Sequence, residues 1–120
     1  MEKPHKRLNA WKESIHLSLL IYDLVNRLPK NEEYGLATQL RRAATSIPAN
    51  IAEGAARQTR REFIQFLYIA RGSISEVDTY LEIAQRLGYF HKESLLKIEQ
   101  KMIDVDKITT GLIQALKKRA

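Results

Sequence analysis

Cysteine is absent from this chain, and glycine and proline are scarce, at 5 and 3 residues of 120. Without cysteine the chain has no disulfides, no thiolate metal ligands and no cysteine nucleophile. This composition fits a reducing compartment, and we expect a cytoplasmic protein. Few glycines and prolines argue against a fold built from many hairpins.

Long apolar runs are also missing. The longest, residues 17–25, is interrupted by Ser18 and Asp23 and is far shorter than the roughly 20 residues of a membrane span. The polar segment 1–12 lacks the apolar region of a signal peptide. We therefore expect no membrane association. A composition of 44% hydrophobic and 28% charged residues over this length fits one folded domain spanning 1–120.

The chain shows almost no sign of catalytic or cofactor chemistry. Glu13 and His16 form one Glu-x-x-His match, whereas di-iron bundles need two such motifs and two further glutamates. The three histidines, His5, His16 and His91, lack metal-ligand spacing. Glycine-rich phosphate loops and serine nucleophile motifs are not found. We expect no enzyme activity, no metal and no cofactor.

Positive charge is concentrated in the middle of the chain. The net charge is +6, and residues 39–73 contain six arginines against two acids. Arginine is suited to planar contacts with phosphate or carboxylate groups. From charge alone, a polyanion-binding surface and a solvated basic face remain equally good explanations.

Apolar periodicity predicts four long helices joined by short connections, which indicates an all-α, antiparallel up-down four-helix bundle. The first helix covers about 10–28 and stops at Pro29, and the second begins near Gly35. The third starts at a capping box, Thr59 to Glu62, and ends at Gly88. The fourth covers about 92–118.

Two details of these helices carry structural predictions. The apolar spacing of the second helix continues in phase across Pro48, so we expect a kink there rather than a helix end. The first helix has one stripe through Trp11 and Tyr22 and a neighbouring stripe through Leu17 and Ile21. A bundle helix needs one such stripe to face the core, and the first and third helices have two. We favour a subunit interface as the explanation of the second stripe. The alternative is a broad core face.

A polar strip follows the apolar face of the second helix, formed by Gln39, Arg42, Ser46, Asn50 and Glu53. Polar groups so close to a core need partners, such as Glu53 or another carboxylate for Arg42, and backbone or hydroxyl groups for Asn50. We predict a structural polar network that sets helix register or a subunit contact, with RNA contact as the alternative. Arg41 lies at a different angle and is expected to face solvent as a free cation.

Residues 39–54, QLRRAATSIPANIAEG, closely resemble the signature of the "four helix bundle protein" family. That family includes proteins encoded in 23S ribosomal RNA intervening sequences and the accessory variability determinant of diversity-generating retroelements. Further matches at Arg57, 62–67, 70–76 and 87–89, with others upstream, extend the resemblance over nearly the whole chain. The resemblance implies a non-enzymatic bundle that assembles as a homopentameric barrel. The retroelement member has a basic surface, binds nucleic acid and partners a reverse transcriptase.

The leading functional hypothesis is an oligomer that binds RNA or DNA through an arginine-rich surface, with salt-dependent neutralisation of phosphates. Few aromatic residues stand beside the arginines, so stacking on single-stranded bases is not indicated. The alternative is a protein–protein adaptor or structural assembly protein with an acidic partner, such as a reverse transcriptase, and no nucleic-acid role. The predicted contacts are Arg41, Arg57, Arg60 and Arg61, with Lys6, Arg7 and Lys12 as a second group.

Overall fold

The computed structural model describes residues 3–119, and this range contains four long α-helices and no strand. Two short 3-10 helices, Pro4–Arg7 and Lys30–Glu32, precede α1 and α2. The predicted all-α class is therefore confirmed. The long helices are α1 (Asn9–Val25), α2 (Leu36–Ala55), α3 (Arg60–Arg86) and α4 (Lys92–Lys118).

The helices pack as neighbours around one core. Contacts join α1 to α2, α2 to α3, α3 to α4 and α4 back to α1, so α1 and α3 occupy opposite corners of the bundle. The α2–α3 register is antiparallel, because Arg42 pairs with Glu76 and Ser46, one turn further along, pairs with Ser73. The molecule is elongated, measuring 47 × 23 × 21 Å. The predicted up-down arrangement is confirmed.

Both predicted boundaries of α3 are confirmed. The Thr59 hydroxyl accepts the Glu62 amide at 3.2 Å and donates to the Glu62 carboxylate at 2.9 Å. The glutamate therefore holds the capping hydroxyl rather than the backbone amide of Thr59. At the other end Gly88 has a φ of +83°, and the Tyr89 amide donates to the Ala84 carbonyl at 3.0 Å. These features form a Schellman motif, which needs a left-handed residue.

Helix α1 ends earlier than predicted, and the structure decides which of its two apolar stripes is buried. It ends at Val25, and the Leu28 amide donates three residues back to Val25. The tighter turn has a steric cause, because Pro29 disfavours helical backbone at the residue before it. Leu17 and Ile21 are fully buried whereas Tyr22 is 44% exposed. The stripe through Leu17 thus faces the core, because α2 and α4 enclose that side of α1.

Proline at position 48 does not end α2, which continues to Ala55, as predicted. Pro48 has no amide to donate to the Ala44 carbonyl. The hydroxyl of Ser18 on α1 lies 3.0 Å from that carbonyl and is buried. The Ser14 carbonyl, also 3.0 Å from this hydroxyl, already has the Ser18 amide as its helical donor. The α1 hydroxyl therefore replaces the hydrogen bond that the proline removes.

Small residues allow α2 and α3 to approach each other closely. A β-carbon at Gly54 would lie 2.8 Å from Cβ of Phe66 and 2.9 Å from the Phe63 ring, closer than real contacts allow. Farther along, the hydroxyls of Ser46 and Ser73 are 2.6 Å apart. The missing side chain at Gly54 lets the two backbones approach, and the hydrogen bond between Ser46 and Ser73 holds them together.

The end of the bundle where α1 meets α2 is closed by Glu32. One carboxylate oxygen accepts the Leu36 amide at 3.2 Å, and the other accepts the Tyr89 hydroxyl at 2.8 Å. This hydrogen bond to an anion raises the pKa of the Tyr89 phenol. The glutamate thereby joins the α1–α2 connection to the α3–α4 turn.

We predict that Ser18→Ala lowers the free energy of unfolding by about 1–3 kcal/mol, because it leaves the buried Ala44 carbonyl without a donor. In a Pro48→Ala background the new amide can bond to Ala44, so the same substitution should cost less than half as much. Urea unfolding at one fixed protein concentration measures both effects. Ser75→Ala, at an exposed serine of α3, is the matched control. Equal costs in the two backgrounds would contradict the proposed compensation.

Thr109 provides a second stability prediction. Its side chain is fully buried in α4, and its hydroxyl has no hydrogen-bond partner among the described residues. Thr109→Val keeps the shape and removes the unsatisfied group, so we expect a gain of about 1 kcal/mol in unfolding free energy. Thr110→Val, at a half-buried neighbour, should change it by less than about 0.5 kcal/mol. A loss on replacing Thr109, measured by urea unfolding, would show that the hydroxyl has a partner.

Candidate nucleic-acid interface

The antiparallel topology gathers cationic side chains at one end of the bundle. The N-terminal 3-10 helix, the start of α1, the α2–α3 turn, the start of α3 and the last turn of α4 all lie there. We call this surface the basic end. Its cationic residues are Lys6, Arg7, Lys12, Arg57, Arg60, Arg61, Lys117, Lys118 and Arg119. Six of the seven predicted contact residues therefore lie in one region.

Arg60 and Arg61 form the most available pair at the basic end. They lie in the first turn of α3 and are exposed. Neither side chain has a hydrogen bond or an ion pair with any residue in the range 3–119. Lys6, Arg7 and Lys12 are also exposed, in the N-terminal segment that packs on α1 and α2 at the same end of the bundle. The side chains of Arg60 and Arg61 can therefore reach an anion without first breaking an internal hydrogen bond or ion pair.

Arg57 is engaged within the α2–α3 turn. Its guanidinium lies 3.2 Å from the Glu53 carboxylate and 4.0 Å from that of Glu62. The same group sits 4.8 Å from the centre of the Phe66 ring. Arg57 therefore stabilises the turn that presents Arg60 and Arg61, and any phosphate contact by Arg57 must compete with these partners.

Arg41 does not lie at the basic end, and its predicted exposure is corrected. The side chain is half-buried in a groove of about 360 Å³ on the other half of the bundle, beside Leu28, Pro29 and Glu33. The physical reason is the chain reversal after α1, which folds over this part of α2. Helix periodicity could not show that cover, because it comes from the connection and not from the helix.

The first part of the predicted polar strip bridges α2 and α3 near their exposed edge. The Arg42 guanidinium donates to Gln39 at 2.7 Å and to Glu76 on α3 at 3.3 Å. The Tyr80 hydroxyl approaches the same Gln39 oxygen at 3.4 Å. The partner of Arg42 is thus another carboxylate, one of the two options considered, and the group is exposed rather than buried.

The second part of the strip is half-buried, and its partners are a hydroxyl of α3 and a backbone carbonyl of α2. The Ser46 hydroxyl pairs with that of Ser73 at 2.6 Å, and the Asn50 amide donates to the Ser46 carbonyl at 2.8 Å. Glu53 faces away from this pair, toward Arg57. The five residues of the strip therefore make three separate sets of contacts, and those of Arg42 and Ser46 join α2 to α3.

Carboxylates near the basic end are already paired. Glu13 accepts a hydrogen bond from the Lys101 ammonium at 2.6 Å, and this bond holds the pKa of its carboxyl below its usual value. Glu53 and Glu62 both face Arg57. Since these three acids pair with Lys101 and Arg57, they do not neutralise the charges of Arg60, Arg61 and the N-terminal lysines.

The chemistry of this surface is electrostatic. Within the described part of the chain, no three His, Asp or Glu side chains are close enough to hold a metal ion. Among the same residues, no helix is long and apolar enough to cross a membrane. The exposed guanidinium and ammonium groups can attract and orient phosphate or carboxylate anions.

Sequence reasoning missed two contributions to the basic end. Lys117, Lys118 and Arg119 are absent from the predicted contacts, yet the up-down order brings the last turn of α4 to this end, with Lys117 beside the first turn of α3. Tyr68, two turns after Arg61, adds an aromatic ring to the same groove. The heptad spacing within α3 was the signal that could have found this tyrosine.

These features define a small helical-bundle protein with one strongly cationic end. The chain belongs to the family of 23S rRNA-intervening sequence proteins, whose family model matches residues 6–111. The match covers most of the chain and agrees with the family resemblance of residues 39–54.

A solved structure supports the same assignment. It is a crystal structure of a protein of unknown function from the S23 ribosomal protein family of Bacteroides thetaiotaomicron VPI-5482. This chain is 28% identical to it, the alignment covers 87% of this chain and 97% of that one, and the TM-score is 0.79. No curated protein matches this chain significantly.

Proposed function

We propose that this chain is a cytoplasmic, non-enzymatic protein that binds RNA or DNA through its basic end as a homopentamer. The observation that carries the proposal is the convergence of cations from distant parts of the sequence. Lys6 lies in the N-terminal 3-10 helix and Lys12 in the first turn of α1, Arg60 and Arg61 begin α3, and Lys117 lies in the last turn of α4. Only the folded bundle brings these charges to the same end of the molecule.

Phosphate neutralisation is the binding mechanism that this surface supports. Each phosphate bound by an arginine or lysine releases condensed counterions, so affinity falls as salt rises. The unpaired guanidinium groups of Arg60 and Arg61 can form planar, two-point contacts with phosphate oxygens. Such binding recognises the backbone and shape of a nucleic acid and depends little on its base sequence.

Exposed apolar side chains support assembly into a ring. Ile69 and Ile83 of α3 and its C-cap residue Leu87 are exposed, and α1 presents Leu19 and Tyr22 to solvent. Because α1 and α3 lie at opposite corners of the bundle, these two patches face different directions. A cyclic oligomer with head-to-tail contacts needs two such different patches on every subunit. The number five rests on the family resemblance.

The first test is charge reversal at the basic end. We expect Arg60→Glu with Arg61→Glu to weaken binding of structured RNA and duplex DNA at least tenfold at 0.1 M salt. Loss of two phosphate contacts should also lower the slope of log affinity against log salt by about 1.8 for duplex DNA. Fluorescence anisotropy over a salt series measures both quantities. Lys92→Glu with Lys97→Glu, at exposed sites of α4 away from the basic end, changes the net charge equally and should have little effect.

The contrary outcomes are distinct. If the reversed variant loses its assembly state, the two arginines are interface residues and the assigned contact surface is wrong. If nuclease-treated wild type binds neither nucleic acid at physiological salt, the proposal fails. The adaptor function with an acidic protein partner would then be favoured, and a pull-down would be the next step.

Assembly is tested by the mass in solution. Light scattering should give five times the chain mass of 13.9 kDa. Ile83→Glu with Leu87→Glu places charges in the α3 patch, so we expect a smaller species with the helical circular dichroism retained. Tyr34→Glu, at a 92% exposed residue of the α1–α2 connection, is the control and should keep the wild-type mass. A wild-type monomer would refute the pentamer.

A further inference from the structure

We infer that the groove between the start of α3 and the end of α4 binds an unpaired base of single-stranded nucleic acid. The base would stack on Tyr68, and its flanking phosphates would contact Arg60 and Arg61. This inference rests on the proposed function and names its substrate class more narrowly. It also changes the sequence-based expectation, because aromatic stacking was not indicated before the fold placed Tyr68 near these arginines.

The groove has the size and lining of a small-ligand site. Its volume is about 450 Å³, within the range of roughly 300–1,000 Å³ seen for such sites. Ile64 and Leu116 supply apolar walls, and Arg60, Arg61 and Lys117 stand around them. A surface that is apolar inside and cationic around it matches a base flanked by phosphates.

Tyr68 is held in a position suited to stacking. Its side chain is 44% exposed, and its hydroxyl bonds to the Lys117 ammonium at 2.7 Å. The ammonium is 5.2 Å from the ring centre. These two distances place it beyond the hydroxyl rather than above a ring face. The hydrogen bond therefore orients the ring, and the ammonium does not cover a ring face.

The chemistry of the groove distinguishes single strands from duplexes. Bases in a duplex are already stacked and paired, so only an unpaired base can offer its face to Tyr68. Gln65 adds an amide donor and acceptor for a base edge. The free guanidinium groups of Arg60 and Arg61 complement the charge of phosphates. The groove therefore favours a nucleotide over an uncharged apolar ligand.

The test compares a ten-nucleotide single strand of uridines with a ten-base-pair duplex. Stacking of one base contributes about 1–3 kcal/mol, which corresponds to a roughly 5- to 100-fold change in affinity. We expect Tyr68→Ala to weaken single-strand binding by this factor, measured by anisotropy, and to change duplex binding less than twofold. The salt slope should stay unchanged, because no phosphate contact is removed.

Two variants serve as controls. Tyr68→Phe keeps the ring and loses the hydroxyl, so single-strand affinity should stay within about threefold of wild type. Tyr34→Ala removes an exposed tyrosine outside the groove and should have no effect. Thermal melting by circular dichroism establishes that each variant remains folded.

Photo-crosslinking provides an independent readout. An oligonucleotide with 5-iodouridine should crosslink to the tryptic peptide 62–71, which contains Tyr68. The crosslink should disappear from this peptide in Tyr68→Ala.

The failures of the two proposals can be told apart. If Tyr68→Ala binds the single strand like wild type while reversal of Arg60 and Arg61 weakens it, the base site is refuted and the general binding function stands. Equal weakening of single-strand and duplex binding by Tyr68→Ala also refutes a base site. If wild type binds no nucleic acid, both proposals fail.

Discussion

The close contact between α2 and α3 is the constraint on which the rest of the bundle depends. At Gly54 there is no room for a β-carbon beside Phe63 and Phe66. Two turns earlier, the short hydroxyl pair of Ser46 and Ser73 fixes the register of the same helices. With the helices so close, the α2–α3 turn is short, and α3 begins where α2 ends. A bulkier residue in this contact would displace the turn and with it the basic end.

Proline within α2 is accommodated by tertiary structure. A proline inside a helix removes one backbone hydrogen bond, which costs about 3 kcal/mol or more when nothing replaces it. Here the replacement donor comes from Ser18 on a different helix. The carbonyl that Pro48 leaves without a donor thus forms a specific contact with α1, through the Ser18 hydroxyl. The same hydrogen bond satisfies the Ala44 carbonyl and joins α1 to α2.

The basic end combines fixed and free charges. Arg57 is paired with Glu53 and lies against Phe66, so it acts first as a structural cation. Arg60 and Arg61 follow directly on α3 without partners in the described range. The paired residue holds the turn in place, and the unpaired ones generate the potential that attracts anions. An anion-binding surface needs both, because free charges on a mobile turn would lose entropy on binding.

The sequence determined the four helices, the boundaries of α3 and the continuation of α2 past Pro48, because local periodicity and capping control them. It did not determine which stripe of α1 faces the core, since that depends on the helices that enclose it. The half-burial of Arg41 depends on tertiary structure in the same way, because residues of the α1–α2 connection lie beside it. The meeting of Tyr68 with Lys117 was decided by tertiary structure alone, because those residues are far apart in sequence and only antiparallel packing of α3 and α4 brings them together.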